Sequence, residues 1–257
     1  ITPKTRAIVV INPNNPTGAV YSAELLAGIA ELAARHRLVV FADEIYDQML
    51  YDGARFIPMA TVVHDTLCVT MSGLSKVYRA CGYRVGWAVL SGNMRVAPDY
   101  LASLELLSSL RLCSNVPAQW AVQTALGGYQ SVKELITPGG RLYESRRAVV
   151  AAAASSRFLM LAPPQGAMYA FVRVRTDELP QFDDHTFALD LLERKHVLVA
   201  PGVSFNVPYR DHFRVTTLPD SAMLQKVFVR IEELLGEYVS SPQSTRPTLV
   251  EARQRFK

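Results

Sequence analysis

Apolar residues in the first third of the chain fall in short uninterrupted runs, separated by segments with helical spacing. The run Ala7–Ile11 is β-branched and stops at an Asn-Pro pair, and the run at 38–42 stops at an Asp-Glu pair. Between them, Ser22 precedes apolar residues spaced as on one helix face, which predicts a helix with Ser22 as its N-cap. Runs at 66–70 and 85–90 predict two more strands. Because buried strands that alternate with helices are typical of a parallel sheet covered on both faces, we expect an α/β fold with a mostly parallel sheet and flanking helices.

The hydrophobic pattern changes in the second half of the chain. It is helical from about residue 100 to 129 with a break at 115–117, and helical again in the Arg- and Ala-rich segment 141–155. Beyond the Pro-Pro pair at 163–164, shorter strands and helices follow one another and predict a smaller α+β domain, with strands at 168–174 and 212–217 and helices at 187–195 and 222–239. We therefore expect one domain over residues 1–145, a second over 146–239, and a mobile tail rich in Pro, Ser and Thr over 240–257.

Composition excludes several classes of protein. The 257 residues are 49% hydrophobic and 19% charged, which is ordinary for a globular chain, and 27 Lys and Arg stand against 23 Asp and Glu, an excess too small to indicate a nucleic-acid partner. The chain contains no run of 18 apolar residues and begins without the pattern of a signal peptide. Three cysteines and five histidines show no metal-ligand or disulfide spacing. We expect a soluble, cytoplasmic protein with no metal and no membrane partner.

Polar side chains gather where the predicted strands end. The segment 12–18 reads N-P-N-N-P-T-G, Asp43 and Glu44 close the second strand, and Lys76 follows the third, with Arg84 before the fourth. Each feature has an ordinary alternative, namely a turn, a helix cap and an exposed loop lysine. Because ligands bind outside the carboxyl ends of strands in open α/β sheets, their coincidence indicates a site there, and a lysine desolvated among small residues can act as a nucleophile toward a carbonyl.

Taken in order, these motifs identify a family. The chain contains N-P-N-N-P-T-G, D-E-I-Y, S-K followed by G-Y-R-V-G, and a late F-R, and together they resemble the fold-type I pyridoxal-phosphate aminotransferases of the aspartate aminotransferase superfamily. Two longer stretches, at 110–119 and 123–130, resemble the bacterial glutamate–pyruvate (alanine) aminotransferases. The resemblance covers about residues 1–238 and implies pyridoxal 5'-phosphate as cofactor.

The resemblance implies roles for four residues around the cofactor ring. Lys76 is similar to the lysine that holds pyridoxal phosphate as a Schiff base and later moves the substrate proton. Asp43 resembles the carboxylate that keeps the pyridinium nitrogen protonated, so that the ring can accept electrons. Tyr46 and Asn15 resemble the pair that hydrogen-bonds the ring hydroxyl, and Asn15 is also expected beside the substrate.

The resemblance also implies two arginines and a serine at anionic groups. Arg84 is similar to the arginine that binds the cofactor phosphate, and Arg214 to the arginine that clamps the substrate α-carboxylate. Many relatives carry a serine for the phosphate at the position that Gly73 occupies here, so Ser75, or else Ser72, is expected to replace it.

The implied activity is reversible amino transfer between an amino acid, alanine by resemblance, and a 2-oxo acid, 2-oxoglutarate by resemblance, in a homodimer. Two other functions stay open: another fold-type I reaction such as elimination or racemisation, and a non-catalytic effector-sensing module, which would be preceded by a DNA-binding domain. Family members also have a long N-terminal portion that these residues do not match. We therefore expect that the chain is an excerpt, or is completed by a second polypeptide, and that it can be inactive alone, since its sheet would otherwise expose unpaired edges.

Overall fold

A computed structural model of the chain describes residues 1–241 and 243. These residues form two compact units. The first contains residues 1–15, 19–136 and 165–167, and the second contains residues 16–18, 137–164 and those from 168 onward. Nearly all of the predicted tail, residues 240–257, lies outside the described residues.

The first unit contains four strands and four α-helices, at positions close to the predicted ones. They are β1 (Ala7–Ile11), α1 (Ala23–Arg35), β2 (Val39–Asp43), β3 (Leu67–Gly73), β4 (Gly86–Gly92), α2 (Pro98–Arg111), α3 (Val116–Gly127) and α4 (Val132–Ile136). Short 3-10 helices lie at Met59–Thr61, Cys81–Tyr83 and Met94–Val96. As predicted, Ser22 caps α1: its hydroxyl accepts a hydrogen bond from Leu25 N at 3.3 Å.

The sheet of the first unit is mostly parallel, with strand order β1-β2-β3-β4. β1, β2 and β3 run parallel, whereas β4 runs antiparallel to β3, which agrees with the expected mostly parallel sheet. A parallel return needs a crossover of a dozen or more residues, usually an α-helix. Residues 74–85 form only the 3-10 helix Cys81–Tyr83, and β4 therefore turns back beside β3.

One face of this sheet is packed more closely than the other. α1 covers the more closely packed face, where its Leu26 and Ala33 are fully buried against Val40 of β2. On the opposite face Val9 is 66% exposed, and Phe41 meets the ring of Tyr100 in α2 edge-on at 6.3 Å between centroids. The expected cover on both faces is thus complete only on the α1 side.

The second unit is the smaller α+β assembly that the pattern predicts. Its elements are α5 (Arg141–Ser155), β5 (Leu159–Met160), β6 (Tyr169–Val174), α6 (Asp184–Lys195), β7 (Ala200–Pro201), β8 (His212–Thr216) and α7 (Ser221–Ser240). The strands pair antiparallel in the order β5-β6-β8-β7. α5 lies wholly in this unit, and the chain divides between residues 136 and 137 rather than within the helix.

The core of the second unit lies on one face of its sheet. Ala170 and Val172 of β6, with Phe213 and Val215 of β8, pack among buried residues of α5, α6 and α7. Because successive strand residues point to opposite faces, Tyr169, Phe171, His212 and Arg214 lie on the other face. Among the described helices of both units, none is long and apolar enough to cross a membrane.

Candidate active site

The carboxyl ends of β1, β2 and β3 lie side by side at one edge of the first sheet. Asp43, the last residue of β2, is in register with Ile11 on one side and Met71 on the other. Beyond the strands, Asn12 N donates to Asp43 O at 3.0 Å and Glu44 N donates to Met71 O at 2.9 Å. The loops that follow these strands therefore begin next to one another. The strand ends and these loops together carry all the predicted cofactor residues: Asn15, Asp43, Tyr46, Ser72, Ser75, Lys76 and Arg84.

Side-chain amides fix the loop that follows β1. Asn12 Oδ1 accepts a hydrogen bond from Tyr21 N at 3.0 Å, and Asn14 Nδ2 donates to Ile11 O and to the Tyr21 hydroxyl, both at 3.3 Å. The Asn12–Pro13 peptide is cis. Asn12 is buried, and its Nδ2 has no hydrogen-bond partner among the described residues. This loop holds Asn15 half-buried beside the sheet edge.

The two carboxylates at the end of β2 have different surroundings. Asp43 is half-buried, and its Oδ1 accepts a hydrogen bond from Ile45 N at 3.2 Å. Glu44 is 7% exposed, and its Oε1 accepts from Met59 N, the first N–H of a 3-10 helix, at 2.7 Å. Burial is the main reason that the pKa of Glu44 rises to about 7. Glu44 thus binds a helix N-terminus, so Asp43 remains the candidate cofactor-binding carboxylate. Tyr46, close to both in sequence, is 3% exposed.

Backbone hydrogen bonds close the connection that carries Lys76. Leu74 N donates to Val85 O at 3.1 Å, Ala80 N to Leu74 O at 3.0 Å, and Arg79 N to Lys76 O at 3.0 Å. Leu74 and Val85 are buried, whereas Lys76 is half-buried. The lysine therefore lies in a loop that is tied to the strand end and is partly shielded from water.

The structure gives a reason for glycine at position 73. A Cβ added there would lie 2.8 Å from Val85 O, closer than real Cβ atoms approach other heavy atoms, and 3.0 Å from Gly86 Cα, which is also a tight contact. The serine that many relatives carry has no room in this backbone. Ser72, within β3, and Ser75, in the lysine loop, are the hydroxyls on either side.

Arg84 lies at the other end of the same connection. It ends the 3-10 helix Cys81–Tyr83 in the left-handed conformation, with φ 54°, and its Nη1 donates to Cys81 O at 2.8 Å. Its side chain is exposed. The arginine is thus held near its own loop, one residue before the buried Val85.

Residues 165–167, which we call the strap, are distant in sequence but pack against the loops that follow β1 and β2. Ala167 N donates to Met49 O at 2.9 Å, and the buried Tyr51 hydroxyl donates to Ala167 O at 2.9 Å. A Cβ on Gly166 would meet Pro13 Cβ at 2.7 Å. Glycine at 166 therefore lets the strap contact the loop that holds Asn15.

Arg214 belongs to the second unit and lies on the open face of β8. Its Cζ is 4.5 Å from the centroid of the Tyr169 ring and 4.9 Å from that of Phe205. Neither aromatic residue was a candidate from the sequence, because they lie 45 and 9 positions from Arg214 and no local motif joins them. Strand alternation could have found Tyr169, since it shares a face with Arg214.

The chain is similar to several aminotransferases. Residues 1–231 match the family model described as aminotransferase class I and II. Over 219 residues the chain is 52% identical to the glutamate-pyruvate aminotransferase AlaA of Escherichia coli strain K12, covering 85% of this chain and 54% of that protein. It is 46% identical over 238 residues to an alanine aminotransferase of Mycobacterium tuberculosis, covering 93% of this chain and 56% of the relative. The chain thus spans little more than half the length of these relatives.

Solved structures share the fold. A crystal structure of an aminotransferase from Escherichia coli matches with a TM-score of 0.89 and 46% identity, over 95% of this chain and 60% of that one. An alanine aminotransferase from Pyrococcus furiosus matches with a TM-score of 0.85 and 34% identity, over 92% and 59%. With a family match that covers residues 1–231, and with the motif residues of the first unit at one edge of its sheet, the chain belongs to the class I and II aminotransferases.

Proposed function

We propose that the protein to which this chain belongs is a pyridoxal-phosphate-dependent alanine aminotransferase, which exchanges amino groups between alanine and 2-oxoglutarate. The observation that carries the proposal is the sheet edge where the loops of Asp43 and Lys76 begin side by side, in a chain of this family. The names of the relatives at 52% and 46% identity support the choice of substrates.

The residues at this edge fit the proposed cofactor. The Lys76 amine matches its aldehyde, and the Asp43 carboxylate matches its ring nitrogen. The Tyr46 phenol and the Asn15 amide both match its ring hydroxyl. The Arg84 guanidinium matches its phosphate. The buried Asn12 Nδ2, unpartnered among the described residues, adds a free donor at the same strand end. When bound, pyridoxal phosphate supplies an electron sink for the pair of electrons left by removal of the substrate α-proton.

Each side chain then has a definite task. Lys76 holds the cofactor and takes and returns the α-proton at its Nζ, a task helped by its partial burial. Asp43 keeps the ring nitrogen protonated, Tyr46 and Asn15 bind the ring hydroxyl, and Arg84 binds the phosphate together with Ser75 or Ser72. Arg214 binds the substrate α-carboxylate with two parallel hydrogen bonds and so orients the α-hydrogen for removal.

The same proposal includes a homodimer in the cytoplasm. Large apolar side chains on α2 and α3 are strongly exposed, among them Leu110 at 71% and Trp120 at 73%, and a second copy would remove them from water. The three cysteines are free, two of them exposed, as suits a reducing compartment. Size-exclusion chromatography with light scattering on the full-length protein tests the dimer, and a monomer would contradict it.

Amino transfer itself is tested on full-length protein loaded with pyridoxal phosphate. We expect the visible band of a lysine-bound cofactor, its loss in Lys76→Ala, and formation of pyruvate and glutamate from alanine and 2-oxoglutarate. Arg214→Lys should keep the band and lower kcat/KM for alanine roughly 30- to 5,000-fold, because lysine cannot make the paired hydrogen bonds.

Arg230→Lys is the matched control, since Arg230 is an exposed residue of α7 that bonds the carbonyl of Lys195. It should leave kcat/KM unchanged. Elimination or racemisation of alanine without 2-oxoglutarate would assign a different reaction to the same cofactor. Normal turnover in Arg214→Lys would mean that another group binds the carboxylate.

A further inference from the structure

The open face of the second sheet carries aromatic and cationic side chains instead of a packed core. Tyr169 and Phe171 of β6 alternate with core residues, and His212 and Arg214 of β8 do the same. Phe171 pairs with Arg214 in the register of the two strands. The elements of this unit therefore place Arg214 among rings, on the face away from α5, α6 and α7.

Two aromatic rings contact the Arg214 guanidinium, one from β6 and one from a 3-10 helix. Tyr169 begins β6, and Phe205 ends the 3-10 helix Gly202–Phe205, with Arg214 Cζ at 4.5 and 4.9 Å from their centroids. Contacts of this length over an aromatic face attract a cation. An arginine side chain loses considerable rotamer freedom on being fixed, so rings that restrict it before the ligand arrives lower the cost of binding.

The position of Phe205 is itself fixed by buried groups. Asp184 is fully buried, and its Oδ2 accepts a hydrogen bond from Val203 N in the 3-10 helix at 2.6 Å. A Cβ on Gly202 would lie 2.7 Å from His212 O, so this helix packs directly on β8. Phe205 thus contacts Arg214 from a helix that is held at two points.

Aromatic contacts also hold the Phe205 ring in place. Phe171 meets Phe205 edge-on at 5.7 Å and stacks on the His212 ring at 4.8 Å. His212 Nδ1 is 2.7 Å from Asp211 Oδ1, and Asp211 Oδ2 accepts from Arg173 Nε at 2.8 Å. These contacts end in the Arg173–Asp211 ion pair, between β6 and the start of β8, and they restrict the movement of the Phe171 and Phe205 rings.

We propose that Tyr169 and Phe205 are positioning residues that hold the Arg214 guanidinium ready for the carboxylate of the substrate. The inference rests on the proposed function for the identity of the ligand, and it adds the two rings to the site. Ring contacts engage the π surface of the guanidinium, whereas its N–H donors bond within its plane, so one group can do both. Amino acid and 2-oxo acid both carry the α-carboxylate, so both substrates should depend on the rings.

The test compares ring-removing with ring-retaining substitutions in the full-length, cofactor-loaded protein. Phe205→Leu and Tyr169→Leu should raise KM for alanine and for 2-oxoglutarate roughly 3- to 30-fold, the range of a lost cation–π contact, with a smaller change in kcat. The dissociation constant of propionate, a carboxylate that cannot react, should rise by the same factor. Phe205→Tyr and Tyr169→Phe keep a ring and should recover most of the binding.

Two controls distinguish loss of the ring contact with Arg214 from a general loss of stability. Phe158→Leu removes a buried ring that also lies under an arginine, Arg157 at 4.4 Å, and should lower the melting temperature without changing propionate binding. In an Arg214→Ala background, loss of the Phe205 ring should have no further effect on propionate, because its effect passes through Arg214.

The outcomes distinguish this inference from the proposed function. Propionate binding that is unchanged in both leucine variants, or a ring effect that persists without Arg214, would overturn the inference even if alanine is transaminated. Absence of alanine transamination in the unaltered protein would overturn the proposed function, while ring- and Arg214-dependent propionate binding would still support the inference.

Discussion

Substitution of Gly73 by alanine tests the close backbone contact beneath the lysine loop. The new Cβ would lie 2.8 Å from Val85 O and 3.0 Å from Gly86 Cα, and ordinary contact begins at 3.4 Å. β3 and β4 must therefore separate by about 0.6 Å, and both neighbours are backbone atoms that cannot turn away. Overpacking of this kind costs about 1–3 kcal/mol of unfolding free energy.

The assay is thermal unfolding of the full-length protein, together with the absorption of bound cofactor. A loss of 1–3 kcal/mol corresponds to roughly 2–12 °C in Tm for 150–250 residues that unfold together, and to a smaller shift where a longer protein unfolds as one. Because Leu74 N bonds Val85 O at 3.1 Å, the same displacement reaches the loop of Lys76, and we expect weaker retention of the cofactor.

Gly82→Ala is the matched control in the same connection. Among the described residues, no heavy atom outside its neighbours lies within 4 Å of a Cβ at position 82, and its φ is not positive. This variant should change stability by less than about 0.5 kcal/mol. Equal melting temperatures for the Gly73 and Gly82 variants would refute the reasoning from the β3–β4 contact.

Three further predictions concern stability in the first unit. Burial raises the pKa of Glu44 from 4.5 to about 7, so its ionisation lowers the unfolding free energy as pH rises through this range. The amide oxygen of Glu44→Gln can still accept from Met59 N, so between pH 4.5 and 8 the unfolding free energy of this variant should rise by about 3 kcal/mol relative to that of the unaltered protein. Denaturant unfolding measures this difference, and a difference that does not depend on pH would contradict the prediction. Gly166→Ala should cost about 1–3 kcal/mol in the same assay through its contact with Pro13, and no loss would show that the strap yields freely. Gly28→Ala, in the middle of α1 with open space around it, should raise the unfolding free energy by about 0.5–1 kcal/mol, and a fall would argue against the exposed position.

Features that depend on neighbouring residues could be predicted from the sequence. The first strand and the Arg141–Ser155 helix have the predicted bounds, because continuous apolar runs and helical spacing are local patterns. The Ser22 cap followed from the same logic. The grouping of Asp43 and Lys76 loops at one edge followed from parallel strands that share a direction. Their chemical roles came from the family resemblance and stay predictions.

Features that depend on distant residues could not be predicted. The antiparallel return of β4 required knowledge that residues 74–85 form no crossover helix. Glu44 differs from Asp43 because it accepts a hydrogen bond from Met59 N, and a single sequence does not reveal that contact across 15 residues. The rings beside Arg214 come from β6 and from a 3-10 helix, and only tertiary packing brings them together.

The strap has a consequence for the order in which the chain folds. The hydrogen bond from Tyr51 to Ala167 spans 116 residues, so the first unit is not a continuous length of sequence. During synthesis, residues 1–136 leave the ribosome without the segment that supports the Asn12–Pro13 loop, and that support forms only after α5 and β5 have also been made. Closing so long a loop is entropically costly and slow compared with local helix formation. The loop that carries the N-P-N-N-P-T-G motif therefore gains this support late, and a nascent chain stopped before residue 165 would carry that motif on a loop that lacks its support.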